Sequence, residues 1–382
     1  MVSNVRISMW TDSYYPYISG VTRSVATTKE SLELMGHDVT VFCPSYPGTT
    51  HEDKIYRFQS IKAPTKPDYY IAFPANPKHL IALSEISPEI IHIHSPFNLG
   101  KMGLRMGKLL KIPVVFTYHT MYTLYSHYLP VIGPMASELI EAGSFMTAKQ
   151  ANAVIAPSTA IRDYLIEHKV KTKIFVIPTG IDVNRFRQGD PGYIRNTFNV
   201  PSGVPVLLSC GRLGPEKNPE TLIKAFALIQ RHIDCYLVMV GDGPLHETLV
   251  ELANKLNVSH RIIFTGKTPP DIMPHMYASS DVFLFASVTE TQGLVIVEAK
   301  SAGVPCVAVG ALGVRDMVEH DVDGYLCENA PEAIAEKTLA LLEDQELLTT
   351  MKSNALANAS KFSLETTCSR LVDCYMETAQ HL

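Results

Sequence analysis

Cysteine is scarce and carries no pattern: Cys43, Cys210, Cys235, Cys306, Cys327, Cys368 and Cys374 are odd in number and form no C-x-x-C pair. That argues against a disulfide frame and a cysteine zinc site, and most of the seven fall in or beside strand-like runs, as reduced core residues of a cytoplasmic protein do. A long apolar run is also missing. The best stretch, Val304 to Val314, is interrupted by Pro305, Gly310 and Gly313, whereas a membrane span needs about 18 apolar residues or more. The first apolar stretch contains Arg6 and leads into Thr11-Asp12-Ser13, so a strand is expected there and not the h-region of a secretory leader. Neither sign of charge dominates: 33 Lys plus Arg stand against 38 Asp plus Glu, a net charge of −5, which gives no global reason to seek nucleic acid. There is no internal repeat and no low-complexity tract.

What is present is enough apolar material for real cores, 46% of 382 residues with only 19% charged, which excludes disorder and a small stapled scaffold. Short β-rich runs alternate with helical stretches, the α/β pattern of parallel sheets covered by helices. In the first half the runs are Val5 to Met9, Val39 to Phe42, Ile90 to Ile93, Val114 to Thr117, Ala153 to Ala156 and Ile174 to Ile177. A second series follows: Pro205 to Cys210, Cys235 to Val240, Arg261 to Phe264, Asp281 to Phe285 and Pro305 to Val309. Between them the polar stretch Arg185 to Gly203, with its prolines and glycines, reads as a linker. The expected domains are therefore residues 1–185 and 186–362, with a helix over about Leu364 to Gln380 in the remaining 363–382. Residues 1–190 carry 19 Lys plus Arg against 15 Asp plus Glu, so the halves differ in charge, +4 and −9.

Two stretches have the residues for chemistry. In Ser287-Val-Thr-Glu290-Thr291-Gln292-Gly293-Leu294-Val-Ile-Val-Glu298, a strand end and a glycine turn deliver backbone N–H groups to a helix N-terminus, an anion cradle flanked by two carboxylates that suit sugar or ribose hydroxyls. The bland alternative is a capping Glu290 and a solvated Glu298. In Gly211-Arg212-Leu-Gly214-Pro-Glu-Lys217-Asn218, two cations flank a turn and could clamp a diphosphate; alone they could equally be a solvated surface pair. Asn218, Pro219 and Glu220 then spell a helix start, with Asn218 as N-cap.

Taken together, Gly-Arg212-Leu-x-x-Glu-Lys217-Asn, Val240-Gly-Asp-Gly-Pro244 and the E-x7-E of Glu290 and Glu298 resemble the family 4 retaining glycosyltransferases of the GT-B fold. The resemblance runs nearly the length of the chain, since Tyr15-Pro-Tyr-Ile-Ser-Gly20-Val-Thr-Arg is similar to the family's N-terminal glycine loop. Thr289 to Leu294 and Tyr118-His119-Thr-Met-Tyr122-Thr-Leu-Tyr125-Ser-His127-Tyr128 most resemble bacterial diacylglycerol glucosyltransferases, with plant-type sulfoquinovosyl transferases as cousins. The resemblance implies two Rossmann-like domains facing across a cleft, the first for the acceptor and the second for a sugar nucleotide, closing on the donor, with the last helix returning to the first domain. It implies a nucleotide-sugar co-substrate, UDP-glucose by preference, no permanently bound cofactor and no metal. Glu298 would then accept from the ribose, Glu290 from the sugar, Thr291 to Leu294 would meet the sugar and diphosphate, and Arg212 and Lys217 would hold the phosphates. His119 would touch the donor sugar, Gly20 would let backbone approach a phosphate, and Lys267 would border the base.

Other signals point elsewhere. Asp321-Val-Asp323-Gly324 spells D-x-D but reads as a turn. Gly241-Asp-Gly243-Pro follows a strand, yet His246 occupies the third-glycine position, against a nicotinamide site. His92 and His94 lack a third metal ligand and read as structural. On a helix, Lys101, Arg105, Lys108 and the neighbouring Lys111 form one stripe apart from Met102, Met106, Leu109 and Leu110, a candidate contact with anionic lipid on the inner face of the plasma membrane, or simply a solvated face. Tyr122 belongs with this acceptor side. Three functions follow for test: a glycolipid synthase, a transferase to a soluble or polysaccharide acceptor, and a non-catalytic sugar-nucleotide-binding or membrane scaffold, the last disfavoured because a scaffold has no need of Arg212, Lys217, Glu290 and Glu298 together.

Overall fold

Runs such as Ile90 to Ile93 and Val114 to Thr117 are buried at every residue, the signature of central strands covered on both faces. The computed structural model describes residues 4–64, 68–73, 77–123 and 133–380. They form two units, Met1–Gly180 with Leu364–Leu382, and Ile181–Ser363.

The first unit carries, in chain order, β1 (Arg6–Trp10), α1 (Gly20–Leu34), β2 (Asp38–Pro44), β3 (Ile55–Phe58), the small antiparallel pair β4 (Ser60–Lys62) and β5 (Tyr70–Ala72), α2 (Pro77–Ile86), β6 (Ile90–Ile93), α3 (Asn98–Leu110), β7 (Val114–Thr117), α4 (Gly133–Gln150), β8 (Ala153–Ala156), α5 (Thr159–Glu167) and β9 (Lys173–Val176). Its parallel sheet has the order β3-β2-β1-β6-β7-β8-β9, so the strand order reverses between β1 and β6, the crevice where such sheets take ligands. The strands β3 to β5 were not foreseen; they are short edge elements with half-buried residues and no clear alternation.

Helix α1 starts because the Ser19 side chain accepts from the Thr22 N–H at 3.1 Å, an N-cap in the usual sense. Helix α3 lies flat on the sheet through glycines. A Cβ at Gly103 would stand 2.9 Å from the Trp10 ring and one at Gly107 2.2 Å from Val114. This turns Lys101, Arg105 and Lys108 outward. Two details differ from the sequence reading: Leu109 is 73% exposed beside them, and Lys111 is the left-handed C-cap with φ 55°, past the helix end.

The second unit carries α6 (Val183–Arg187), α7 (Tyr193–Phe198), β10 (Val206–Cys210), α8 (Pro219–Ile229), β11 (Tyr236–Val240), α9 (His246–Lys255), β12 (Ile262–Gly266), α10 (Met273–Ala278), β13 (Val282–Phe285), α11 (Leu294–Ser301), β14 (Cys306–Val309), β15 (Gly324–Cys327), α12 (Pro331–Glu343) and α13 (Gln345–Ala359). Its sheet is ordered β12-β11-β10-β13-β14-β15, reversing between β10 and β13. The stretch read as a linker is folded: Phe186, Ile194 and Val200 are buried in this unit's core, each apolar side chain so buried contributing about 1.5–3 kcal/mol. Strand β15 follows the Asp-Gly turn, where only a turn was expected. Asp323 of that turn is fully buried, 2.5 Å from the Lys300 ammonium, and also accepts from the Glu319 N–H at 2.9 Å and from Asn358 at 2.9 Å.

The last helix, α14 (Leu364–Gln380), rejoins the first unit and places Cys368, Leu371, Val372, Cys374 and Tyr375 in the same apolar cluster as Val5, Ile7 and Val25.

Candidate active site

In the second unit the two chemical stretches leave adjacent strands at the switch point. Strand β10 ends at Cys210, and Gly211 and Arg212 follow; β13 ends at Phe285, and residues 286–292 follow. The glycines of Val240-Gly-Asp-Gly-Pro244 make this packing possible. A Cβ at Gly241 would stand 1.9 Å from the Gly211 carbonyl and one at Gly243 2.4 Å from that of Leu213. Backbone is thus laid on backbone, with the Leu213 N–H donating to Asp242 O at 3.1 Å and the Leu245 N–H to Leu213 O at 3.0 Å. The motif's role within the fold is to seat the Arg212 loop.

A 3-10 turn over Pro215–Lys217 then closes against the other stretch. The Ser287 and Thr289 hydroxyls donate to the Glu216 carbonyl at 3.2 and 3.4 Å, and Lys217 and Glu290 form an ion pair, both partly buried. Arg212 and Lys217 line one small cavity of about 20 Å³ with Gly211, Cys210, Met239 and Phe285. Asn218 stands at the N-cap position of α8 in the left-handed region, φ 51°, but its side chain does not cap the backbone as expected. Its amide oxygen accepts instead from the Thr221 hydroxyl at 2.8 Å, because the preceding turn has already set the entry.

Gly293, with φ 92°, is the N-cap of α11, so Thr291, Gln292 and Leu294 lie in the turn and first residue of a helix whose N-terminal end favours anions. A loop the sequence reading missed braces this turn: the Gly313 N–H donates to Glu290 O at 3.0 Å, and a Cβ at Gly313 would meet Thr291 O at 2.1 Å. Glu298 lies one helical turn further, where Tyr277 donates to its Oε2 at 2.7 Å. Arg212, Lys217, Glu290 and the 291–294 turn are thus brought together. Lys267 is not: it is exposed after β12, two strands out from the switch point.

The first unit has its own polar cluster. His119 follows β7, and its Nε2 is 3.1 Å from Nδ1 of His94 at the end of β6. His92, its ring tilted by 39° against that of His94 at 3.9 Å between centroids, bonds the Tyr375 hydroxyl at 2.7 Å and that of Thr117 at 2.6 Å. Burial lowers His119 to about 4 and His92 to about 3, and holds His94 well below its ordinary value, so all three imidazoles are neutral at pH 7. They line a cavity of about 40 Å³ with Ser24, Thr28 and Thr179. Gly20 is the first residue of α1, and a Cβ there would meet no atom within 4 Å. Asp12, also missed, is a buried carboxylate that accepts from the Leu99 N–H at 3.0 Å and from the Ser95 hydroxyl at 2.6 Å, pinning the start of α3. Tyr122 packs edge-on against Phe97 at 5.4 Å. Leu124, Tyr125, Ser126, His127 and Tyr128 of the resembling stretch lie outside the described residues.

Comparison with known proteins gives this geometry its context. Residues 18–185 match the family described as Glycosyltransferase Family 4, and residues 193–357 match the one described as Glycosyl transferases group 1. The α-monoglucosyldiacylglycerol synthase of Streptococcus pneumoniae is 34% identical over 352 residues, 85% of this chain and 78% of that protein. The synthase of the same name from Acholeplasma laidlawii is 28% identical, with 94% of each chain covered. A GDP-mannose-dependent α-mannosyltransferase of Mycolicibacterium smegmatis is 29% identical, with 85% of this chain and 86% of that protein covered. The crystal structure of Anabaena HepE in complex with UDP has the same fold, with a TM-score of 0.76 at 23% identity over 97% of this chain and all of that one. Two parallel sheets that each reverse at their first strand, and family matches that together span most of the sequence, lead to one conclusion: the chain belongs to the family 4 glycosyltransferases and has the GT-B fold.

Proposed function

We propose that this glycosyltransferase moves a hexose, glucose in our reading, from UDP-glucose to a hydroxyl of a lipid such as 1,2-diacylglycerol, with retention, giving an α-glycolipid. The observation that carries the reading is the cluster of Arg212, Lys217 and Glu290 at the switch point of the second unit. In this reading the second unit binds the sugar nucleotide and the first unit the acceptor. Arg212 and Lys217 stabilise the charge that grows on the departing diphosphate, an electrostatic contribution of the kind that dominates many active sites. The bond from the anomeric carbon to the phosphate oxygen breaks, the acceptor oxygen forms its bond on the same face, and the acceptor proton passes to that phosphate oxygen. No protein nucleophile is required. The chain supplies charge and orientation. Glu290 accepts from the sugar hydroxyls and, through its pair, holds Lys217 in place before the donor arrives. For the first unit the same reading gives Gly20 the diphosphate and His119 the sugar, with His119 donating as a neutral imidazole.

The lipid acceptor rests on the two α-monoglucosyldiacylglycerol synthases and on the surface of the first unit. Lys101, Arg105 and Lys108 stand exposed on α3 beside Leu109, and on α4 Leu139 and Met146, seven residues apart, are 71% and 61% exposed. Cations interleaved with apolar side chains suit an anionic bilayer surface. Among the described residues no helix is long and apolar enough to cross a membrane, so the contact we propose is peripheral.

The test is UDP release from UDP-glucose with diacylglycerol in mixed anionic vesicles, beside GDP-mannose and soluble acceptors, with Arg212→Ala as control. Release that needs both the lipid and Arg212, with a glucolipid as product, supports the reading. The mannosyltransferase relatives favour a second one: turnover with GDP-mannose and none with UDP-glucose would overturn our choice of donor.

A further inference from the structure

Tyr277 takes no part in the proposed reaction, yet its hydroxyl is aimed at a residue of the candidate site. Its ring is fully buried, edge-on to Phe186 of α6 and tilted against Phe283 of β13, each at 5.7 Å between centroids. Helix α10, which carries it, is clamped in turn. The Asp190 N–H donates to His275 at 3.0 Å, the Ser279 hydroxyl donates back to Asp190 O at 2.9 Å, and Gly189 lies so close to Pro274 that a Cβ would stand 2.1 Å from its carbonyl. The phenol therefore has one position, and from it donates to Glu298 Oε2 at 2.7 Å.

A carboxylate is free to turn about its last torsion unless a neighbour fixes it. A charge-assisted hydrogen bond from a rigid donor does so, and settles the direction of its remaining lone pairs. Burial, with Cys210 and Glu298 adding to it, drives the Tyr277 hydroxyl well above its ordinary value, so it keeps its proton and stays a donor. The Cys210 thiol beside it is pushed up to about 12, first by burial and then by the Glu298 carboxylate, and also stays protonated. The three groups form a fixed polar corner at the start of the site, with the single charge on Glu298.

We propose that Tyr277 is a positioning residue for Glu298, and that the pair makes the nucleotide site select ribose over deoxyribose. This rests on the reading that Glu298 accepts from the ribose hydroxyls. A site built to accept from a hydroxyl rejects the analogue that lacks it, because the desolvated acceptor is then left short of a partner. Held in one plane, the carboxylate makes that demand sharply; released, it turns toward whatever donor is near.

The experiment is calorimetric binding of UDP and GDP, each as the ribo, 2′-deoxy and 3′-deoxy form, to the full chain and to Tyr277→Phe, Glu298→Gln and Phe186→Leu. The unmodified chain is expected to prefer the ribonucleotide over at least one deoxy form by about tenfold or more, in line with the loss of a hydrogen bond to a charged group. Tyr277→Phe is expected to bring that ratio to within about threefold, chiefly by weakening the ribonucleotide. Phe186→Leu, which leaves the phenol in place but loosens its ring, gives an intermediate ratio, and serves if Tyr277→Phe folds poorly. A merely structural role would weaken all forms alike and leave the ratio unmoved. An unchanged ratio in Tyr277→Phe and Phe186→Leu with a lost one in Glu298→Gln overturns this inference and leaves the ribose reading standing. An unchanged ratio in Glu298→Gln, or no binding or ribose preference in the unmodified chain, overturns both.

Discussion

Arg212 is exposed and Lys217 partly so, and neither anchors a core. Removing either should cost turnover far more than stability. Arg212→Ala and Lys217→Ala are each expected to lower kcat by about 10²–10³-fold, the size of effect seen when one charge-stabilising donor is lost, with a thermal midpoint close to the parent's. A midpoint falling as steeply as the activity would mark them as structural. The imidazoles of the first unit predict a pH effect of definite sign. With His92 lowered to about 3 and His119 to about 4, against about 6.5 when unfolded, the unfolded chain takes up protons between pH 6.5 and 4 that the folded chain refuses. Stability is therefore full above pH 6.5 and falls as the pH falls through that window. Urea midpoints at pH 7.5, 6 and 5 check it: the parent should decline, while His92→Gln, lower throughout for want of its bonds to Tyr375 and Thr117, should decline less. A parent midpoint flat to pH 5 would mean the rings are not held neutral by burial.

Helices and strands were read with uneven success, for physical reasons. The central strands stood out because both their faces are buried, so each is a continuous apolar run such as Leu207-Leu208 or Val307-Ala-Val309. Strands β3 to β5 and β15 carry mixed residues that pairing alone makes regular. The linker over 185–203 misled because its composition is polar, while its three apolar anchors, Phe186, Ile194 and Val200, are spread too thinly to show a period. On α3 the charges were legible and the glycines beneath them were not, since only the fold shows that Trp10 fills the space a side chain at 103 would need. Gly103→Leu is accordingly expected to destabilise the first unit by about 1–3 kcal/mol or more through overpacking, read as a lowered urea midpoint. Lys108→Glu on the outward face should leave that midpoint alone and weaken co-sedimentation with anionic vesicles. The site divides in the same way. Arg212, Lys217, Glu290 and Glu298 announce themselves by type and spacing, whereas Tyr277, Gly313 and Asp12 look like ordinary core, turn and cap residues until their neighbours are seen.

At the scale of the molecule, the chain leaves its first unit at Gly180 and re-enters it at Leu364. Tyr375, Cys374 and Leu371 complete a core that begins at Val5, and the Tyr375 hydroxyl completes the bonding of His92. A chain truncated after Ser363 should keep a cooperative transition for the second unit and lose that of the first, seen as one calorimetric peak where the full chain shows the contribution of both. Two undisturbed transitions in the truncated chain would show α14 to be dispensable. The arrangement also has a temporal side. On the ribosome, where chains emerge from the N-terminus and domains fold as units, the second unit has all its residues some twenty codons before the first does, counting Leu364 to Leu382. The unit begun first is thus the last that can close, and its unpaired apolar face, the floor that α14 will cover, waits through the synthesis of everything between. Chaperone dependence should therefore concentrate on the first unit rather than the second.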